Sequence, residues 1–120
     1  MSDAGWRKDA QSAADAALLA VAATDSAQAV ASLSQASRLI EDATREAMAA
    51  AVLDGASMRK VAEIAGIAPN SVPPRLARSK PLAPYVDAGT ITADSITMAR
   101  YDAATGREPM KFVPRRKEGS

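Results

Sequence analysis

The chain contains no cysteine and no histidine. The absence of cysteine excludes disulfide bonds and thiolate metal sites. The absence of histidine removes the commonest general base and the commonest zinc ligand. The six glycines stand apart from one another, so no glycine-rich phosphate-binding loop is present. Because no carboxylates cluster beyond Glu41-Asp42, we expect neither enzymatic activity nor a cofactor.

Aromatic residues are also scarce, at 3% of the 120 residues, so aliphatic side chains must build the core. Alanine, the residue with the highest helix propensity, is abundant in the first half of the chain. A chain of this length suits one small domain with an extension. These observations together predict an all-α fold.

Long apolar runs are missing as well. The segment Ala16–Ala23 follows Arg7 and Lys8 in the manner of a short signal peptide, but Asp9 and Asp15 interrupt that pattern. The segment consists mostly of alanine and is too short to span a membrane. We therefore expect a cytoplasmic protein without membrane association.

Two long helices are predicted in the first half of the chain. The first covers residues 4–24, and the second covers residues 26–54 and ends at Gly55. Asp25 and Gln28 have the spacing of a capping box at the start of the second helix. The larger apolar residues of that helix follow a three-four spacing and share one face. Such a helical pair can serve as a dimerisation arm, or it can merely pack against the rest of the protein.

Charge is unevenly distributed along the chain. Residues 1–54 carry four basic and eight acidic side chains, whereas residues 55–81 carry five basic and one acidic. Residues 82–110 carry two basic and four acidic side chains, and residues 111–120 carry four basic and one acidic. A polyanion would be attracted to the second and fourth segments and repelled elsewhere, which is the charge pattern of nucleic-acid binding.

The stretch from Ser57 to Val72 predicts two short helices joined by a turn. Ser57 can cap the first helix, whose inner face is expected to carry Val61, Ala62 and Ala65. Gly66 permits the positive φ of a turn, and Ile67 is expected to anchor that turn in the core. The second helix is then expected to start near Pro69, a residue suited to a first helical turn, and to pack through Val72 and Leu76.

These residues resemble the helix-turn-helix of bacterial and phage regulators. Val61-Ala62-Glu63-x-Ala65-Gly66-Ile67 is similar to the lactose-repressor-type pattern, in which V-A-x-x-A-G-V/I precedes the recognition helix. The resemblance covers about 20 residues, or about 40 if residues 41–54 supply the first helix of the module. It implies double-stranded DNA as the partner. The alanine-rich composition is typical of a high-GC genome such as an actinobacterial one.

Together, the resemblance, the predicted helices and the charge pattern divide the chain into three expected regions. Residues 1–40 form an N-terminal helical dimerisation arm through which a homodimer is expected. Residues 41–105 form a helix-turn-helix DNA-binding domain, which includes a C-terminal helix capped by Thr92 and ended by Gly106. Residues 106–120 form a flexible basic tail.

Pro73-Pro74 departs from the pattern, because proline removes an amide donor and disfavours helical geometry in the residue before it. Two arrangements remain open. In one, the recognition helix is short and kinked at Val72. In the other, the segment before Pro73 is extended and the helix begins at Pro73 or Pro74 and runs to Ser79.

The resemblance directs one group of residues to the major groove, where Asn70 suits adenine and Arg75 suits guanine. A second group at the start of the previous helix suits phosphates. Further basic residues, including those of the tail, suit phosphates or a minor groove. The candidate DNA-binding residues are Ser57, Arg59, Lys60, Pro69, Asn70, Ser71, Arg75, Arg78, Lys80, Arg115, Arg116 and Lys117. For each basic residue a solvated surface charge is the alternative, and for Asn70 a helix cap is the alternative.

The sequence therefore predicts a nucleoid-associated, sequence-specific DNA-binding regulator that acts as a dimer on a palindromic operator. A DNA-binding accessory protein of plasmid partition, conjugation or phage recombination is a close alternative. A helical protein–protein interaction module, in which the helix-turn-helix is only a scaffold, is the alternative that Pro73-Pro74 keeps open.

Overall fold

The computed structural model describes residues 4–106, which form helices joined by turns. The helices are α1 (Ala4–Val21), α2 (Ser26–Leu53), α3 (Met58–Ala65), α4 (Val72–Ala77) and α5 (Ala93–Thr105), with 3-10 helices at Pro69–Ser71 and Ala83–Tyr85. Within residues 4–106 there is no β-strand, and a single antiparallel bridge joins Asp87 to Thr90. The prediction of an all-α fold is confirmed. The predicted basic tail lies outside the described residues, apart from Gly106.

The contacts within the chain divide it into two compact units, Met1–Ala47 and Met48–Ser120. The division falls inside α2, which contributes its first part to one unit and its last part to the other. The domain boundary predicted between residues 40 and 41 also lies inside this helix. In the described part of the chain, no helix has the length and apolarity needed to cross a membrane.

The first unit contains α1 and the first part of α2, joined by a turn at residues 22–25. Asp25 caps α2 as predicted, because its carboxylate accepts a hydrogen bond from the Gln28 backbone N–H at 2.8 Å. The Gln28 side chain reaches back one residue further than a capping box requires, and accepts from the backbone N–H of Thr24 at 3.1 Å. A connection this short places the two helices antiparallel and side by side.

Among the described residues of the first unit, the buried apolar side chains are all alanines. They are Ala13, Ala16, Ala36 and Ala43, each at most 8% exposed. Val30, Leu33 and Ile40 of α2 share one face, as their spacing predicts, but that face is exposed: Val30 is 64% exposed, and Leu33 and Ile40 are each 53% exposed. Leu39, on another side of the helix, is half-buried. Alanine stripes allow close helix approach, so the hairpin closes without burying its largest side chains.

The second unit has a conventional aliphatic core. Its members come from the end of α2, from α3, α4 and α5, and from the segment between α4 and α5: Met48, Ala49, Val52, Val61, Ala62, Val72, Leu76, Leu82, Tyr85, Ile91, Ile96 and Ala99. Five of them, Ala49, Val52, Val72, Leu76 and Leu82, are completely buried. This core fixes the positions of the short helices α3 and α4.

Polar contacts tie α5 to the rest of the second unit. The Arg100 guanidinium donates hydrogen bonds to the carbonyls of Val52 at 3.0 Å and Ala56 at 3.1 Å, so it satisfies carbonyls at and just beyond the end of α2. The buried Tyr85 hydroxyl donates to Oδ2 of the buried Asp102 at 2.6 Å. Burial, with this hydrogen bond and the Asp102 charge, raises the pKa of Tyr85 from 10.0 to about 12.

Candidate nucleic-acid interface

Helix α3 begins and ends with the capping residues that the sequence predicts. The Ser57 hydroxyl accepts a hydrogen bond from the backbone N–H of Lys60 at 3.0 Å, which stabilises the first turn. Val61 and Ala62 are buried, whereas Arg59 and Lys60 are exposed at the N-terminal end. The first turn of α3, which Ser57 caps, therefore carries the two exposed cations. This turn also presents backbone N–H groups that have no partner within the helix.

The turn after α3 depends on Gly66, which has a φ of 75°. Its backbone N–H and that of Ile67 both donate to the carbonyl of Ala62, at 2.9 Å and 3.0 Å, and close the helix end. Ile67 is half-buried and packs against the core, in line with its predicted role as an anchor. A side chain at position 66 would be strained in this conformation even though there is space for a Cβ.

The prediction that Ala65 belongs to the inner face of α3 is wrong, because Ala65 is exposed. It points in nearly the same direction as Val61, four residues earlier. However, it is the last residue of α3, and the adjoining turn residues Gly66 and Ala68 are themselves exposed and leave it uncovered.

The segment around Pro73-Pro74 combines parts of the two predicted arrangements. Helix α4 starts at Val72, so both prolines lie in its first turn, where proline is tolerated. The preceding segment is a 3-10 helix at Pro69–Ser71 and is not extended. Neither proline can donate to a carbonyl four residues earlier, and the Pro69 carbonyl instead accepts a shorter-range bond from the Val72 N–H.

Pro69 and Asn70 are exposed at the start of this second helical segment. The alternative in which Asn70 caps a helix does not hold, because Ala68 and Ser71 occupy the two cap positions and neither makes a side-chain capping bond. Among the described residues, no hydrogen bond of the Asn70 side chain is present. The exposed amide therefore retains its capacity for the paired donor and acceptor contact that an adenine edge requires.

Arg75 of α4 contacts Ser71, the residue just before this helix. Both are half-buried, and Nη1 of Arg75 donates to the Ser71 carbonyl at 3.1 Å. This bond compensates in part for the weak helical bonding near the prolines and holds the arginine along α4. The remaining guanidinium N–H groups are suited to a phosphate or a guanine.

Arg78 and Lys80 are exposed just beyond α4. Ser79, between them, is completely buried, and its hydroxyl donates to the Leu76 carbonyl at 2.7 Å. The alternation of exposed and buried residues keeps the two cations on the surface. The predicted sites Arg115, Arg116 and Lys117 lie outside the described residues.

The charge of the surface formed by α3 and α4 is positive. Of the ionisable side chains at residues 55–81, five are basic and one, Glu63, is acidic. Lys60 lies 3.8 Å from Glu63, but both side chains are well exposed, so this ion pair contributes little and leaves Lys60 free to exchange partners. An anionic ligand would meet a net attraction here.

Two features of the second unit were not found by sequence reasoning. Ile64 is 73% exposed on α3, one helical turn after Lys60, where it offers an apolar contact next to the cations. Arg100 lines a shallow groove of about 200 Å³ together with Ser57, Met58 and Thr97. No pattern in the sequence predicts either feature. Ile64 fits an ordinary amphipathic helix, so its exposure is not indicated, and Arg100 is far from Ser57 in the sequence, so their proximity is not indicated.

In the described residues, no group of three or more acidic side chains is placed to hold a metal ion. The arrangement of α3, the Gly66 turn and α4 is suited to recognition by charge, hydrogen bonding and shape. The chain matches no protein-family model, no curated protein and no solved structure.

Proposed function

We propose that this chain is a sequence-specific double-stranded DNA-binding protein, and that α3, the Gly66 turn and the segment Pro69–Ala77 act as its helix-turn-helix. The observation that carries the proposal is a single geometry: two short helices share one aliphatic core, the second begins with an exposed, unengaged Asn70, and exposed cations flank both. In this proposal, the segment Pro69–Ala77 enters the major groove of the DNA. The protein then acts as a transcriptional regulator.

The residues divide into two roles. Arg59 and Lys60 contact phosphates at the N-terminal end of α3, which fixes the position of the protein on the duplex. Asn70 and Arg75 contact base edges and select the sequence. The tail, with Arg115, Arg116 and Lys117, adds phosphate contacts that strengthen binding without sequence preference.

The short recognition segment limits how many bases one copy can read. A 3-10 turn followed by six α-helical residues is about 15 Å long, which covers roughly one half-site. A small module of this kind gains useful affinity by binding two half-sites as a dimer, and the operator is then palindromic. An accessory protein of plasmid partition, conjugation or phage recombination would use the same contacts.

The first test measures binding to labelled duplex DNA of random sequence at two salt concentrations, followed by selection of the bound sequences. We expect affinity to fall steeply with salt and a palindromic sequence to emerge. Absence of binding even at low salt would contradict the proposal.

Variants then separate the two roles. Arg59→Ala/Lys60→Ala should reduce the logarithmic salt slope by about two, because about one unit is lost per phosphate contact. Asn70→Ala should leave the slope unchanged but relax the selected sequence at one position of each half-site. The matched control is Lys8→Ala/Arg38→Ala, which removes the same charge from two exposed positions of the first unit. Equal losses for the control and the α3 pair would mean that binding is non-specific attraction.

A second candidate, a protein-interaction scaffold, is favoured by the exposed aliphatic residues of the first unit. In that case Arg75→Ala/Arg78→Ala would spare function, whereas a DNA-binding protein with this double substitution would lose binding.

A further inference from the structure

We infer that one side of the α1–α2 hairpin is an uncharged docking face for a second copy of this chain, and that the two hairpins close into a four-helix bundle. This inference specifies the dimer assumed in the proposed function, but it is argued from the first unit alone. Dimerisation is tested without DNA. The result therefore distinguishes a monomer that binds DNA from a dimer that does not.

The face is defined by one stripe on each helix. On α1 the stripe has a four-three-four spacing, and on α2 it has a three-four-three-four spacing, both typical of helix–helix seams. The α1 stripe is Ala10, Ala14, Ala17 and Val21; the α2 stripe is Val30, Leu33, Ser37, Ile40 and Thr44. None of these nine side chains is charged.

Helical geometry places both stripes on the same side of the hairpin. The buried alanines Ala13 and Ala16 mark the side of α1 that faces α2, and Ala36 and Ala43 mark the side of α2 that faces α1. At about 100° per residue, each stripe lies about 100° from the buried alanines in the direction of increasing residue number. Because the helices are antiparallel, equal rotations in this sense point to one common side.

The apolar side chains of this uncharged face are highly exposed. Val21 is 83% exposed, Val30 is 64% exposed, and Leu33 and Ile40 are each 53% exposed. The hairpin buries alanines in its own interior, so it gains little from apolar burial until this side is covered. Apolar residues left outside in this way mark an interaction surface.

A second copy fits this face better than a charged partner does. Since the nine positions carry no charge, they offer nothing to a nucleic acid or to an acidic protein, whereas an uncharged centre is typical of protein–protein interfaces. The face also contains both halves of a complementary pair, with small side chains on α1 and large ones on α2. A two-fold axis parallel to the helices sets α2 of each copy against α1 of the other.

The size of the face is sufficient for a stable pair. It extends over about 21 Å of helix. The nine residues expose on the order of 600 Å² per copy, so face-to-face contact buries about 1,200 Å² in total, which is at the lower limit of specific interfaces. The dimer should therefore form at micromolar concentrations and dissociate on dilution.

The experiment measures the molar mass and dimer dissociation constant of the full chain without DNA, by sedimentation. We expect the wild-type protein to be a dimer, and Leu33→Glu/Ile40→Glu to raise the dissociation constant about 100-fold or more. The matched control is Leu19→Glu/Gln35→Glu, which introduces the same charges at two exposed residues, one on each helix, that lie on the opposite side of the hairpin from the face. We expect the control protein to remain a dimer.

Circular dichroism of each variant verifies that the helices are intact. Leu33→Ala/Ile40→Ala, which preserves helix propensity, provides a second measurement and should also weaken the dimer. A wild-type protein that is still monomeric at a concentration of about 100 μM would overturn the inference. Equal dissociation of the control and the Leu33/Ile40 variants would overturn it as well, because it would mean that added charge anywhere on the hairpin, and not at this face, separates the copies.

Discussion

The two units of this chain reach helical structure by different routes. The second unit buries valine, leucine, isoleucine and tyrosine in a single core. The first unit buries alanines and leaves most of its larger aliphatic side chains exposed. The hydrophobic effect therefore stabilises the second unit within a single copy, whereas the exposed aliphatic side chains of the first unit would gain from it only in the proposed dimer.

The comparison predicts the largest difference for leucine truncation. Leu76→Ala in the second unit should lower the free energy of unfolding by about 3 kcal/mol, because it removes a completely buried side chain from a packed core. Leu18→Ala in the first unit, at 64% exposure, should change it by less than about 0.5 kcal/mol. Urea unfolding monitored by circular dichroism measures both values. Similar losses for the two variants would show that the first unit buries Leu18 in solution.

A smaller effect is expected from the Tyr85–Asp102 hydrogen bond. Tyr85→Phe should cost about 2 kcal/mol near neutral pH, because it leaves the buried Asp102 carboxylate without its donor. The folded pKa of about 12 lies above the unfolded value of 10.0, so the tyrosine contribution is fully present below pH 10 and is lost as the pH rises towards 12.

This pH dependence is measured by urea unfolding between pH 8 and about pH 11.5, in wild type and in Tyr85→Phe. The wild-type protein should lose more stability than the variant across this interval, since the variant has no hydroxyl at position 85 to ionise. Parallel pH profiles would contradict the proposed coupling between burial and ionisation of Tyr85.

The smallest effect distinguishes the two serines at the starts of α3 and α4. Ser57→Ala should cost about 1 kcal/mol, because the hydroxyl caps α3. Ser71→Ala should cost less than about 0.5 kcal/mol, since its side chain makes no capping bond. Thermal unfolding of the two variants provides the measurement. A larger loss for Ser71→Ala would mean that α4 has a different N-terminal cap in solution.

Much of the helical layout could be predicted from local signals. Thr92 caps α5 in a reciprocal bond pair with Ser95, Gly66 and Gly106 end their helices with positive φ, and the turn at Asp25 separates α1 from α2. These features depend on residues within four positions of each other, so the sequence alone is sufficient to identify them.

The residues that form the candidate site could be predicted from the sequence, but their exposure and local backbone structure could be predicted only in part. The spacing of Val61, Ala62, Val72 and Leu76 predicted the buried side of the two short helices. It did not reveal that Ala65 would be exposed, or that the segment before the prolines would form a 3-10 helix. Those outcomes depend on which carbonyls lack donors and which residues a neighbouring segment covers.

The sequence by itself determined that this protein is helical, poor in aromatics, and basic at residues 55–81, because propensity, capping and charge are local properties. The tertiary structure decided which aliphatic residues are enclosed. It joined Arg100 to the end of α2 and Tyr85 to Asp102, across separations of 48 and 17 residues. It also left Val30, Leu33 and Ile40 exposed. Burial and long-range hydrogen bonding depend on how helices pack, and no local pattern in the sequence specifies that packing.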